Sequence, residues 1–368
     1  MDVKKNLPVL LILFFIALSG CITAGREWSF AINGDSSKSV NSSLYEKLAN
    51  DAKTYDGVTG IPLEIFLAYY GVYPVTAISY NGTVYNWTDA ASAASKDIPM
   101  LVEPNGSVYY AGKRAMPTDI NVTLADKPGV STLDVAPSIL YALDAGGRDD
   151  LIHEKASRVV LFYLDAFGYE RYQDARQRGL ISNISSLGEP VKAVCVYPSI
   201  TQNNAKAMAT GLAPNLSRGD FRSYLPYNDT VFDILERKGL KAVWVDGNSP
   251  PVAVNDTVFA LDENGDGSAD DEVTAAAIDE YRAGADFMVV HYKDTDLEMH
   301  EYGPYSPEGL ASVKTADVEV GEVLKSLDNG TVVVIYADHG CHNLTGGGGN
   351  HGTLLPDDMY IPLVIGEA

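Results

Sequence analysis

Basic side chains are scarce in this chain, with 27 lysines and arginines against 49 aspartates and glutamates and a formal net charge of −22. Duplex binding relies on Lys and Arg displacing counterions from phosphates, so no nucleic-acid scaffold is expected as a partner. A small phosphate ester stays open as substrate, because a pair of bound divalent cations can dominate the field inside one cleft. Charged residues make up only 21% and hydrophobic ones 46%, which excludes a disordered chain and supplies a sizeable core. Internal repeats are not evident, and 368 residues read as about two domains. Cysteine is nearly lacking, with only Cys21, Cys195 and Cys341 present. If Cys21 has another use, the remaining two either pair in an oxidising compartment or stay as buried thiols.

The N-terminus carries an address. Lys4 and Lys5 precede an apolar run from Leu7 to Leu18, too short for a comfortable bilayer span but suited to the middle of a secretory signal. It ends in Leu18-Ser19-Gly20-Cys21, which resembles the lipobox of exported lipoproteins. The expectation is a signal over residues 1–21, a lipid on Cys21 and an extracytoplasmic protein attached to the cell membrane, with an uncleaved signal anchor or an ordinary cleaved secretory signal as the alternatives. Asn-x-Ser/Thr triplets at Asn81, Asn86, Asn105, Asn121, Asn228 and Asn343 agree with that address.

Residues 25–125 contain short strand-like runs divided by Asn81-Gly82 and Asn105-Gly106, which predicts a small β-rich accessory domain. Over residues 127–368 the rhythm changes to alternating strands and helices. Strand patterns run from Val159 to Leu164, Val191 to Val196, Lys241 to Val245, Phe287 to Tyr292, Val332 to Tyr336 and Tyr360 to Ile365. Helical spacing covers Val231 to Lys238, Val273 to Arg282 and Pro307 to Leu327. The fold class expected is α/β, a mainly parallel sheet flanked by helices on both faces. In such sheets ligands gather at the carboxyl ends of the strands.

Metal-binding chemistry stands at those ends. The first strand runs into Asp165; a later one is followed by Asp294, Asp296 and His300; another ends in Asp338-His339-Gly340, and a glycine-rich loop then delivers Asn350-His351. Five of the six histidines, His291, His300, His339, His342 and His351, lie within this last stretch. Mixed imidazole and carboxylate ligands suit zinc, and manganese also accepts them. Between these segments, the small-residue run after Thr201 predicts a helix ending at Gly211. That would set Thr201 at a helix N-terminus, where unpaired amides favour anions.

The order Asp165, Thr201, Asp296 with His300, Asp338 with His339, then His351 resembles the alkaline phosphatase superfamily, and within it the nucleotide pyrophosphatase/phosphodiesterase branch. The Asp296-x-x-x-His300-x-x-Gly303-Pro304 and Ala337-Asp338-His339-Gly340 segments carry the likeness, over roughly residues 130 to 368. The resemblance implies two divalent cations, zinc before manganese: one on Asp296, His300 and His351, the other on Asp165, Asp338, His339 and the Thr201 oxygen. It implies a phosphothreonine intermediate in cleavage of a phosphodiester or pyrophosphate, with a small phosphate ester as substrate. The alternatives are a phosphomonoesterase, or a surface-anchored binding protein on an inactive fold.

Sulfatases of that superfamily need Cys/Ser-x-Pro-x-Arg, and Thr201-Gln202-Asn203-Asn204 lacks it. Asn204, with Asn203, is read as a neutral donor suited to a diester, which carries one negative charge less than a monoester dianion. Lys206 and Lys293 keep the monoesterase open. The segment Val130 to Leu143 resembles a helix that usually follows the last ligand, so the core is expected to be circularly permuted, with this helix beside the final strand. Asp262, Asn264, Asp266, Ser268 and Asp270 resemble a calcium loop, although Val273 stands where the twelfth-position glutamate is usual.

Overall fold

The computed structural model describes residues 27–87, 100–214 and 229–368; the signal segment, Cys21 and Asn228 lie outside the described residues. The N-terminal part is β-rich. Its strands are β1 (Ser29–Asn33), β2 (Ser37–Asn41), β3 (Lys53–Tyr55), β4 (Val58–Pro62), β5 (Val75–Tyr80), β6 (Thr83–Asn86), β7 (Leu101–Val102), β8 (Val108–Tyr110), β9 (Lys113–Ala115) and β10 (Asp119–Leu124). They form two sheets, in the orders β2-β1-β10-β5-β6 and β3-β4-β7-β8-β9, with helices α1 (Ser42–Lys47) and α2 (Leu63–Tyr69) alongside. Asn81 and Gly82, at φ 51° and 77°, turn β5 into β6 as an Asn-Gly hairpin requires.

The larger part is an α/β unit. Its strands are β11 (Val159–Leu164), β12 (Val191–Val194), β13 (Ala242–Asp246), β14 (Thr257–Phe259), β15 (Phe287–Tyr292), β16 (Val332–Ala337) and β19 (Tyr360–Glu367), with a small ribbon of β17 (His342–Asn343) and β18 (Gly349–Asn350). The main sheet has the order β12-β19-β16-β11-β15-β13-β14, parallel from β16 through β14, while β19 runs antiparallel to both its neighbours. Strands β11, β13, β15 and β16 are buried at every residue, which is why they read as unbroken apolar runs instead of alternating ones. Flanking helices are α3 (Val135–Ala142), α4 (Tyr169–Gln177), α5 (Ser182–Ser186), α6 (Thr201–Thr210), α7 (Val231–Arg237), α8 (Asp270–Arg282), α9 (Asp294–Tyr302), α10 (Pro307–Leu324) and α11 (Pro356–Met359).

Helix α3 packs against α6 and α7. The residues just before it join the sheet edge: Ser131 bridges Val194, whose amide donates to Val130 O at 3.0 Å, and Val194 in turn pairs with Tyr360 of β19. Residues 130–131 thus lie one strand away from β19. The β-rich part reaches the same end of the sheet, where the Val75 amide donates to Leu354 O at 2.9 Å, three residues beyond His351.

Candidate active site

Parallel order places the carboxyl ends of β16, β11, β15 and β13 side by side, so Asp338, Asp165, the start of α9 and Asp246 form one row. Just past β11, Ala166 adopts φ 54°, an unusual value for a residue with a Cβ. That turn sends its amide to Asp338 Oδ1 at 3.1 Å. Gly340 is fixed by close approach, because a Cβ there would lie 1.9 Å from Asp357 O. The loop that follows β16 could not cross with a larger residue.

The predicted ligands come together. Asp296 Oδ1 lies 3.4 Å from His300 Nε2 and 3.5 Å from His351 Nε2, and these two nitrogens are 3.1 Å apart. Beside them, His339 Nε2 lies 3.1 Å from Asp338 Oδ2 and 3.5 Å from Asp165 Oδ1. Thr201 Oγ1 stands 3.4 Å from Asp165 Oδ1 and 3.3 Å from His339 Nε2. Sets of ligand atoms from Asp296, His339 and His351, and from Asp165, Asp338 and His339, each lie within 4.8 Å of one another.

Two further observations show that these residues fit divalent cations. Each imidazole has its Nδ1 against a backbone carbonyl: His300 on Gly349 O at 3.1 Å, His339 on Gly340 O at 2.9 Å and His351 on Ser199 O at 3.0 Å. An Nδ1–H donated outward leaves each Nε2 lone pair facing the cluster, the tautomer a metal needs. In addition, Asp296 Oδ1 and Asp338 Oδ2 are buried without a hydrogen-bond partner among the described residues. Buried carboxylate oxygens are rarely left so unless a cation completes them. Burial and the neighbouring Asp165 push Asp296 up to about 6 and Asp338 up to about 7, which marks a surplus of negative charge. Burial and the charges of His339 and His300 hold His351 well below the usual histidine range.

Thr201 begins α6, and Ile200 before it supplies no side-chain cap, so the first-turn amides are open to an anion. Gly211 ends the helix at φ 68° in the left-handed region.

Asn204 is a correction. It is fully buried, its Oδ1 accepts from the Val196 amide at 2.8 Å, and its Nδ2 lies on Val196 O at 3.1 Å and Ile200 O at 3.2 Å. The side chain braces the loop into α6 instead of facing a substrate, because that loop's carbonyls have no strand partner at this point. Lys293 is likewise engaged, its Nζ lying 2.6 Å from Asp246 Oδ1 and 3.0 Å from both Asn248 Oδ1 and Ser249 O.

The side chains of the five residues read as a calcium loop all accept from backbone amides. Asp262 accepts from the Gly265 and Gly267 amides, Asn264 from that of Asp266, and Asp266 from that of Ser268, so the acceptors close their own turn. The Ser268 hydroxyl accepts from the Asp270 amide at 3.1 Å. The Asp270 carboxylate is drawn away to the amides of Lys293 and Asp294 at 3.0–3.1 Å, where it anchors the start of α9. Among the described residues no three carboxylates of this loop converge. Cys195 and Cys341 are both buried free thiols.

Sequence reasoning missed Asp246 and gave His291 no role. Asp246 ends β13 as Asp165 ends β11, and that repeated strand-end aspartate was the available signal. His291 Nδ1 lies 2.8 Å from Asp246 Oδ2 and its Nε2 lies 3.4 Å from Asp165 Oδ2. Burial works against charge on this ring, yet the hydrogen bonds to Asp165 and Asp246 lift its pKa to about 9. Arg171 was missed too. Buried in α4, it donates to Thr295 O and Gly309 O at 2.7 Å each and so ties the starts of α9 and α10 together.

Residues 221–358 match the family of type I phosphodiesterases and nucleotide pyrophosphatases. The catalytic subunit of GPI ethanolamine phosphate transferase 3 of Mus musculus is 22% identical over 212 residues, half of this chain but 19% of that protein. Phosphonoacetate hydrolase from Sinorhizobium meliloti 1021, solved with phosphonoformate, is 20% identical with a TM-score of 0.40, covering 50% of this chain and 57% of the other. Murine ectonucleotide pyrophosphatase / phosphodiesterase 5 is 17% identical with a TM-score of 0.40, covering 50% and 58%. The chain therefore spans about a fifth of the curated relative and a little over half of these solved chains.

Proposed function

We infer, from a chain that belongs to the nucleotide pyrophosphatase/phosphodiesterase-like branch of the alkaline phosphatase superfamily, that this protein hydrolyses phosphodiester or pyrophosphate bonds with Thr201 as nucleophile. One observation carries the reading: three outward-tied imidazoles present their Nε2 atoms to orphaned carboxylate oxygens beside a threonine hydroxyl at an uncapped helix N-terminus.

Asp296, His300 and His351 would hold one divalent cation, and Asp165, Asp338 and His339 with Thr201 Oγ1 the other, zinc suiting this donor set best. Such cations lower the pKa of the hydroxyl and neutralise charge on the phosphoryl group. Thr201 Oγ1 attacks phosphorus; the new O–P bond forms as the bond to the leaving oxygen breaks, and the departing alcohol or phosphate takes up a proton. Water then cleaves the phosphothreonine and regenerates the hydroxyl. The first-turn amides of α6 bind the non-bridging oxygens. With Lys293 held by Asp246, one cation that a monoester dianion would need is engaged elsewhere, which favours the diester.

Release of p-nitrophenol from bis-p-nitrophenyl phosphate and from p-nitrophenyl phosphate, with and without zinc, tests the reading. The diester is expected to be cleaved faster, and Thr201→Ala to lose at least about 10³-fold in kcat/KM at unchanged Tm. Equal rates for Thr201→Ala and the parent protein would end the assignment. The signal and lipobox segment supports an exported, membrane-anchored setting as part of the same proposal; among the described residues no helix is long and apolar enough to cross a membrane.

A further inference from the structure

Among the described residues, Asp165 is the carboxylate of the cluster whose second oxygen faces a histidine outside the proposed ligand set. Its Oδ1 faces Thr201 and His339, whereas its Oδ2 lies 3.4 Å from His291 Nε2. The geometry follows from register. Strand pairing sets Val245 opposite Val290 and Tyr163 opposite His291, so Asp246 falls beside His291, and Asp165 follows on the same face as Tyr163. His291 is 1% exposed, and the rings of Tyr163 at 4.4 Å and Trp244 at 5.8 Å meet it edge to face. Little rotation is left to it.

Asp246 is in turn fully engaged. Its Oδ2 accepts from His291 at 2.8 Å and Trp244 Nε1 at 3.2 Å, and its Oδ1 from Lys293 Nζ at 2.6 Å and the Asn248 and Ser249 amides at 2.9 and 3.0 Å. Neither Asp246 nor His291 touches Thr201. A carboxylate ligand free to turn about its own Cβ–Cγ bond presents either oxygen, or both, to a cation; a donor fixed on one oxygen removes that freedom and lowers the entropy lost on binding.

We propose that His291, set by Asp246 and Lys293, is a positioning residue that orients Asp165 and thereby controls cation affinity at the site formed by Asp165, Asp338, His339 and Thr201, without affecting the site of Asp296, His300 and His351. The proposal rests on the two-cation reading above, so the test measures cation binding directly instead of turnover. The full chain is stripped with a chelator and titrated with zinc by calorimetry, and with cobalt while its visible absorption is recorded; thermal melts check folding. The parent protein is expected to take up two equivalents. His291→Ala is expected to weaken one equivalent by about 10–100-fold and leave the other within about threefold, with His291→Gln restoring part of the loss through its amide donor. Asp246→Asn, which keeps the shape but weakens the hold on His291, is expected to fall between, and it carries the test if His291→Ala does not fold. Equal weakening of both equivalents, or no change in either, overturns the positioning role while leaving two-cation binding intact. A parent protein that binds fewer than two equivalents removes the two-cation reading and this inference together.

Discussion

At the scale of single residues, two side chains separate the proposed chemistry from support. Thr201 is half-buried and its hydroxyl faces Asp165 and His339, whereas Asn204, three residues on, is turned inward and bonded to the loop on every polar atom. Removing a buried amide leaves the Val196 amide and carbonyl without partners, a loss of about 1–3 kcal/mol. Asn204→Ala is therefore expected to lower Tm by several degrees, about 2–4 °C for each kcal/mol in a unit of this size. Thermal denaturation followed by circular dichroism measures it. An unchanged Tm with lost turnover would instead make Asn204 a substrate donor. The sequence placed both residues near the site, but i and i+3 on a helix give no indication which one faces the cleft until neighbours are packed on it.

At the scale of elements, two anchors converge on the start of α9, Arg171 from α4 and Asp270 from α8, and the carboxylate of Glu319 from α10 faces the charges of Asp270 and Asp294 there. Glu319 is buried with Oε2 lacking a partner among the described residues, and burial with the neighbouring Asp270 and Asp294 pushes its pKa up to about 8. The folded state keeps this proton to higher pH than the unfolded chain, so its stabilising share is full below the unfolded value and is lost as pH rises toward about 8. Glu319→Gln removes the buried charge. In metal-free protein it is expected to raise Tm by about 3–6 °C at pH 9 and by less than about 1 °C at pH 5. A gain of equal size at both values would show that shape, not charge, decides. Helix periodicity marked α10 as an element, but an acidic residue on its buried face is legible only once α8 and α9 are packed against it.

At the scale of the whole molecule, a β-rich part and an α/β part meet at the His351 loop, and the proposed export signal before residue 27 bears on where the protein resides. If Cys21 is lipidated, Cys21→Ala expressed in cells is expected to move the protein from the membrane pellet to the soluble extracytoplasmic fraction without change in specific activity. Retention in the pellet would favour the uncleaved signal anchor.

The sequence by itself determined the central strands β11, β13, β15 and β16, since a strand buried on both faces is apolar nearly throughout, and it marked the candidate ligands, since imidazole and carboxylate cluster at the strand ends. It also placed Thr201 at a helix start, where small residues and Gly211 bound a single element. Only the tertiary structure decided which polar groups support and which act. Asp246 and His291 lie 45 residues apart and become partners through strand register alone. Asp270 left its loop for the amides of α9, and Asn204 turned inward, because a side chain's partners are set by which elements crowd its face, and no local pattern encodes that.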